Sequence, residues 1–340
     1  MSKKDVGTRR MNRISKATRW ASALMAAGAA GAIPVAQADI ELGSGLSVTG
    51  FLDMSYSSVD PDAGSSVESI GIDQFEMDFK YAGSGGVSAQ VDIEYGDGFD
   101  GSDDETFVEQ AFITKAFNEQ FSVKAGRFLS YTGWETEEPT GLFQYSGTGY
   151  APYFYGFYQN GVSAYYKGGK FDVMGSVVTS AFNPLDRNST DGVDDEMGYE
   201  FGVAVMPVEG LTAKAFYISD GDSDTDIINV WASYAVSGFT FAGEYNTVDY
   251  GSQAVNADGD GDGYLLMANY ATGPFGFTVR YHDFEIESAA GATVDDGSAI
   301  TLSPSYKVGG NLLLVGEYRM DESDTRGDSD LFAIEALFTF

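Results

Sequence analysis

The chain has 340 residues, no cysteine and a formal charge of −32, from 51 acids against 19 Lys and Arg. The missing cysteine excludes a disulfide scaffold, Cys-ligated zinc and thiol catalysis. The charge excludes nucleic acid as a partner, because a phosphate backbone binds cations and is repelled here.

The first 38 residues carry a basic stretch (Lys3, Lys4, Arg9, Arg10, Arg13, Lys16, Arg19), an apolar run from Ala21 to Val35 and the small-residue site Ala36-Gln37-Ala38. That is the pattern of a cleaved secretory signal, starting at Met1 or, for a shorter leader, at Met11. Seven of the nineteen basic residues and one acid, Asp5, lie in it, so the charge from Asp39 onward is −38. The expected organisation is a signal peptide over 1–38 and one domain over 39–340. Beyond the leader, no segment has the roughly 18 consecutive apolar residues of a membrane helix.

From Leu46 onward, sixteen segments alternate apolar and polar residues with period 2: 46–56, 71–81, 87–95, 107–117, 121–128, 162–166, 171–179, 199–205, 211–218, 227–234, 239–245, 264–270, 275–283, 299–306, 312–318 and 331–340. Period 2 is the signature of strands with one side in an apolar medium. Short Gly-, Pro- or Asn-bearing turns (83–86, 118–120, 167–170, 207–210, 236–238, 272–274, 308–311) alternate with connectors of about 8 to 32 residues, as hairpins of a barrel do. The predicted fold is all-β: a transmembrane antiparallel β-barrel of about 16 strands, with short periplasmic turns, long acidic extracellular loops and both termini periplasmic. Apolar faces such as Phe75, Met77, Phe79 and Tyr81 point to lipid. Polar ones such as Gln74, Glu76, Asp78 and Lys80 point inward. Two segments fit less well: 107–117 does not reveal its outward face, and Pro304 sits inside the fourteenth strand, where a proline cannot donate to the ladder. At sixteen strands side chains alone do not fill the cylinder, and an aqueous channel is expected.

The connector 129–160, about 32 residues, is longer than a passive loop, and its ten aromatics argue for packing. It is expected to fold into the lumen as the third loop. Its acids Glu135, Glu137 and Glu138 then face Lys124, Lys214, Arg280 and Arg319 across a constriction, joined by Arg127 if a bulge turns it inward; opposed charges across a gap act as a sieve. Glu76, Asp78, Asp92, Glu94 and Glu244 are the candidate lumen acids. Trp134, Tyr145 and Tyr155 are candidates for stacking on a sugar or aromatic acid, which would make the channel solute-specific. An adhesive or structural barrel is a further alternative.

In the run Asp258-Gly259-Asp260-Gly261-Asp262-Gly263, Asp258, Asp260 and Asp262 match positions 1, 3 and 5 of a calcium loop. The twelfth position is Asn269 rather than Glu, so weak Ca2+ binding at most is expected, and no other cofactor. The acidic loops suit divalent bridges to lipopolysaccharide and enrich cations at the mouth. The single histidine, His282, has no serine two residues on and reads as a lumen hydrogen-bonder, so no enzyme is expected. The final strand, 331–340, ends on Phe340.

Four pieces follow one another between Val108 and Tyr166: V-E-Q-A-F (Val108 to Phe112), K-A-G-R-F (Lys124 to Phe128), G-W-E (Gly133 to Glu135) and an aromatic-rich closing segment, Phe154 to Val162. Their order resembles that of the OmpL-like family of beta-barrel porins of the Gram-negative outer membrane. The resemblance implies passive diffusion of ions and small hydrophilic solutes. The terminal Phe340 is similar to the signature by which the outer-membrane assembly machinery recognises its clients. A homotrimer is the usual state at this strand number, and a modest cation preference is expected from the acidic loops.

Overall fold

Lipid offers no partner to a free strand edge, so sixteen half-apolar segments have one stable arrangement, a sheet closed on itself. The computed structural model describes residues 40–96, 106–135, 138–181, 197–221, 223–251 and 259–340. The leader, Glu137 and Asp258 lie outside the described residues. A short strand β1 (Ile40–Gly43) precedes β2 (Leu46–Pro61), β3 (Val67–Ala82), β4 (Val87–Gly96), β5 (Thr106–Ala116), β6 (Phe121–Leu129), β7 (Tyr158–Lys167), β8 (Phe171–Val178), β9 (Gly198–Val205), β10 (Leu211–Asp220), β11 (Thr225–Val236), β12 (Phe239–Tyr250), β13 (Asp260–Thr272), β14 (Phe275–Glu287), β15 (Thr293–Val308), β16 (Leu312–Glu322) and β17 (Ser329–Thr339). From β2 to β17 each strand pairs antiparallel with its chain neighbour, and β17 pairs β2 from Ser329↔Pro61 to Thr339↔Phe51. The result is a closed 16-stranded barrel.

All sixteen expected strands are present. At the seam, Phe340 exchanges two backbone hydrogen bonds of 3.0 Å with Gly50, and its ring stacks on Phe75 with centroids 6.3 Å apart. Where β17 ends, β1 takes over the edge of β2, with Ile40 opposite Val48. The unpredicted β1 therefore covers backbone that closure leaves unpaired.

Several strands run further than expected at the long-loop end. β14 reaches Glu287 and β15 begins at Thr293, leaving a five-residue connector. Beyond the membrane both faces of a hairpin are wet, so the ladder continues after the apolar alternation has stopped. Periodicity marks only the part of a strand that meets lipid.

Pro304 is accommodated by its neighbours. It pairs with Phe277 on β14, while towards β16 it faces Gly316, where a side chain would lie 3.5 Å from the proline ring. Ser303 Oγ donates to Gly316 O at 2.8 Å, supplying that carbonyl with a donor next to the residue that has no N–H.

The ambiguous segment 107–117 is explained by a bulge. The ladder between β4 and β5 shifts from Asp92↔Gln110 to Ile93↔Val108. Glu109 is the extra residue, and it and Gln110 are both buried on the inner side. A second shift, from Asp53↔Gln74 to Met54↔Ile72, leaves Asp73 as the extra residue of β3.

Candidate functional site

The inner wall is polar along most strands, as expected, with one exception. Phe51, Leu313, Val315, Leu331, Ala333 and Leu337 form an apolar patch inside the barrel, packed on Tyr145. An apolar inner patch is stable only if something covers it, and the cover here is the connector between β6 and β7.

That connector lies in the lumen and is held by wall residues from nearly the whole circumference. Glu200 of β9 accepts from Ser130 Oγ (2.8 Å), Tyr131 N (2.7 Å) and Gln159 Nε2 (2.8 Å). Glu244 of β12 accepts from Trp134 N and Tyr150 OH, both at 2.7 Å, and from Tyr155 OH. Burial, and then the Glu244 carboxylate, pushes both phenols well above their ordinary range, so they stay protonated and donate. Asn229 of β11 bridges Gly133 N (3.2 Å) and Glu244 (2.7 Å). On the opposite wall, Glu317 of β16 accepts from Ser146 N at 2.9 Å and Thr278 of β14 donates to Phe143 O at 2.8 Å. The aromatics complete the attachment: Tyr150, Phe154 and Tyr155, each fully buried, pack against Ile218, Ile227, Leu265 and Phe284 of the wall. Each such ring contributes about 1.5–3 kcal/mol by burial. At the neck, the chain passes so close to Ser130 that only a glycine fits at 156.

The predicted constriction pair is a contact, not a gap. Arg280 Nη1 lies 2.6 Å from Glu135 Oε1, and both side chains are buried. Glu135 also accepts from Gln144 Nε2 (2.8 Å) and Thr148 N (2.6 Å), so the pair clamps the loop. Arg319 does line the lumen, pairing with Asp321 at 2.8 Å and reaching Ser146 Oγ at 2.9 Å. Lys124 points inward but is covered, its Nζ sitting 4.3 Å from the Phe128 ring centroid, 4.9 Å from Tyr131 and 5.0 Å from Phe112. Lys214 lies 4.7 Å over Trp231. Arg127 shares the ladder position of Ala111, on the face opposite Lys124; the bulge falls on the neighbouring strand, and Arg127 Nε donates to Glu109 O at 3.1 Å.

The stacking expectation is also corrected. Tyr145 is buried beside Ser55 Oγ (3.0 Å) and Tyr155 has no exposed surface. Trp134 is half-buried between Phe143, at 6.1 Å, and Trp231, at 5.2 Å. Tyr145 and Tyr155 belong to the packed core of the loop and offer no free face to a solute, while Trp134 keeps part of its surface open. His282 is buried, with Gly149 N 3.4 Å from its Nε2, as a lumen hydrogen-bonder would be.

The expected lumen acids all face inward. Glu76, Asp92, Glu94 and Glu244 are buried and Asp78 half-buried. Glu138, on the loop, joins them, 3.3 Å from Gln74 Nε2. Glu76, Asp78 and Asp92 each bring an oxygen within 4.8 Å of one another, and so do Glu76, Glu109 and Glu138. Two unit charges 4 Å apart repel by about 4 kcal/mol at an effective dielectric of 20. Lys80, 3.2 Å from Asp78, offsets part of this at the edge. Asp260 and Asp262, by contrast, stand in the extended β13, opposite Asp249 and Thr247 on one side and Glu287 and Glu285 on the other. An extended strand does not wrap its oxygens around one ion, so these two do not form the tight calcium turn.

Sequence reasoning passed over Glu200, Asn229, Thr278 and Glu317, which carry the loop as much as Arg280 does. Each is one more polar residue at an inward position, and only the loop distinguishes it. Glu109 did carry a signal, since two adjacent polar residues, Glu109 and Gln110, interrupt an alternating strand.

A family model described as Gram-negative porin matches residues 21–326. No curated protein matches the sequence. Among solved structures, the chain is similar to an anion-selective porin from Comamonas acidovorans (16% identity, TM-score 0.66, 87% of this chain and 99% of that one). It is also similar to Salmonella typhi OmpF in complex with daunomycin (15%, 0.65, 89% and 100%) and to the in-vitro folded OmpT of Vibrio cholerae in its trimer form (14%, 0.61, 87% and 99%). At these identities the likeness concerns the fold.

Proposed function

The chain belongs to the Gram-negative porin family, and from that premise we propose that it passes ions and small hydrophilic solutes by passive diffusion, with a preference for cations. It is an outer-membrane channel, and neither family nor fold points to an enzyme. The cation preference rests on one observation: among the described buried residues, thirteen carboxylates stand against three cations, Lys124, Lys214 and Arg280. All three are covered by rings or held in the loop clamp, and Arg319, which lines the lumen, is paired with Asp321, so the field that a passing ion meets is negative.

In this reading residues 1–38 are removed on export, the short turns face the periplasm and the acidic connectors face outward. Phe340, at the seam, is the residue presented to the assembly machinery, and the outer acids meet lipopolysaccharide through divalent cations. A homotrimer fits the reading, as the Vibrio cholerae neighbour is described in a trimer form.

The test is reconstitution of the mature chain in a planar bilayer across a tenfold KCl gradient. Stepwise conductance with a cation-signed reversal potential is expected. Silent insertion removes the channel, and an anion-signed potential removes the selectivity.

A further inference from the structure

Glu109 sits where the ladder between β4 and β5 slips by one residue, and the bulge turns its carboxylate inward beside Gln110. Bulges re-aim a side chain that regular alternation would send the other way. Here the re-aimed group is an acid placed among acids. Both Glu109 oxygens and Oε2 of Glu76 are buried with no hydrogen-bond partner. Tyr158, Glu94 and Glu76 are the side chains beside the Glu109 carboxylate. Glu109 is 1% exposed and Glu76 4%. Unpartnered carboxylate oxygens at that depth need a cation or a proton.

The geometry favours a cation. One oxygen each from Glu76, Glu109 and Glu138 lies within 4.8 Å of the other two. Two oxygens on opposite sides of a Ca2+ ion, each at about 2.3–2.6 Å, stand about 4.6–5.2 Å apart. Three hard oxygens from three separate segments, β3, β5 and the third loop, also suit an ion that tolerates irregular coordination better than one demanding an octahedron.

We propose that Glu76, Glu109 and Glu138 bind a Ca2+-class divalent cation inside the barrel, and that this ion pins the third loop to the wall. Glu138 is the loop's contribution, so the ion ties the loop's starting arm to β3 and β5, on the side of the lumen that the Arg280 clamp does not reach. The site is separate from the acidic outer loops and does not depend on which solute passes.

The test is binding of radiolabelled Ca2+ to the refolded full-length barrel in detergent, with folding checked by heat-modifiable gel migration. The wild type is expected to bind one tight equivalent. Glu109→Gln, Glu76→Gln and Glu138→Gln are each expected to lower its affinity about tenfold or more by removing a charged ligand. Asp260→Asn with Asp262→Asn is expected to leave it unchanged, separating it from weak binding at the outer loops. Glu138→Gln lies on the loop, outside the strand ladder, and so keeps the test open if a wall variant fails to fold. A second readout is protease sensitivity of the segment 129–160, which EGTA should raise in the wild type and leave unchanged in Glu138→Gln. Equal Ca2+ binding by the wild type and all three Gln variants would mean that the acids share protons, and it would overturn the proposal. So would loss of the tight equivalent in the Asp260/Asp262 variant.

Discussion

Replacing Arg280 by Ala removes five donor contacts at once: to Glu135 Oε1 (2.6 Å), Ser146 O (2.7 Å), Ser146 Oγ (3.3 Å), Gly147 O (3.3 Å) and Thr301 Oγ1 (3.1 Å). Glu135 keeps Gln144, Thr148 N and the field of Arg319 but loses the cation in contact with it while still buried. Breaking one side of a buried ion pair costs about 3–5 kcal/mol. Since about 1.4 kcal/mol is a factor of ten, the docked state of the segment 135–148 loses roughly two to three and a half orders of magnitude against a released one. The wall anchors at Glu200 and Glu244 are untouched, so the neck stays attached, while the tip is left with Thr278, Glu317, Arg319 and the packing of Tyr145 and is held more loosely. In single-channel recordings Arg280→Ala should show a larger mean conductance and more open-channel noise than the wild type. The double variant Arg280→Met with Glu135→Gln removes both charges, leaves no ion unpaired and should return most of the way to the wild-type trace. Wild-type conductance and noise in Arg280→Ala would refute the clamp. A double variant as noisy as the single one would show that packing, not charge, holds the tip.

Gly156→Val should open the neck of the loop, because a Cβ there would fall 2.5 Å from Ser130 Oγ and 2.7 Å from Ser130 Cβ; faster proteolysis within 129–160 is the readout, and unchanged protection would contradict the close approach. Glu244→Gln exchanges charge-assisted bonds, worth about 1.5–3 kcal/mol each, for neutral ones at the junction of Trp134, Tyr150 and Tyr155. Hydrogen exchange at the Trp134 amide should accelerate at least tenfold, and a rate equal to wild type would remove Glu244 as the anchor. Ser303→Ala leaves Gly316 O short of a donor beside Pro304, a loss of about 1–3 kcal/mol; the folded band on an unheated gel should disappear at a lower temperature than for the wild type, and no shift would mean that the carbonyl finds another donor.

The strands were legible because lipid and water impose opposite chemistry on alternate residues, and all sixteen were found for that reason. Their outer ends were not, since beyond the membrane nothing distinguishes the two faces of a hairpin. The inward fold of 129–160 could be read from its length and aromatic content. The work of its residues could not: Tyr145 and Tyr155 look like a stacking surface until the wall covers them, and Glu135 and Arg280 look like opposed charges until they touch.

The two inward bulges show a rule that the sequence did contain. Regular alternation sends one of two adjacent polar residues into lipid, where a charge near the midplane is costly. Strand β3 carries Asp73-Gln74 between Ile72 and Phe75, and β5 carries Glu109-Gln110 between Val108 and Ala111. In each, the slip falls at the acid: Asp53↔Gln74 gives way to Met54↔Ile72, and Asp92↔Gln110 to Ile93↔Val108. The extra residue lets both polar side chains face the lumen and returns the apolar neighbours to lipid. Asp73 then accepts from Ser55 Oγ, which also contacts Tyr145 of the loop, while Glu109 enters the cluster with Glu76 and Glu138. Both slips therefore deliver a carboxylate to the side of the wall against which the loop lies. An acid next to a glutamine inside an otherwise alternating strand is thus a readable mark of a bulge, and here of the wall region that receives the third loop.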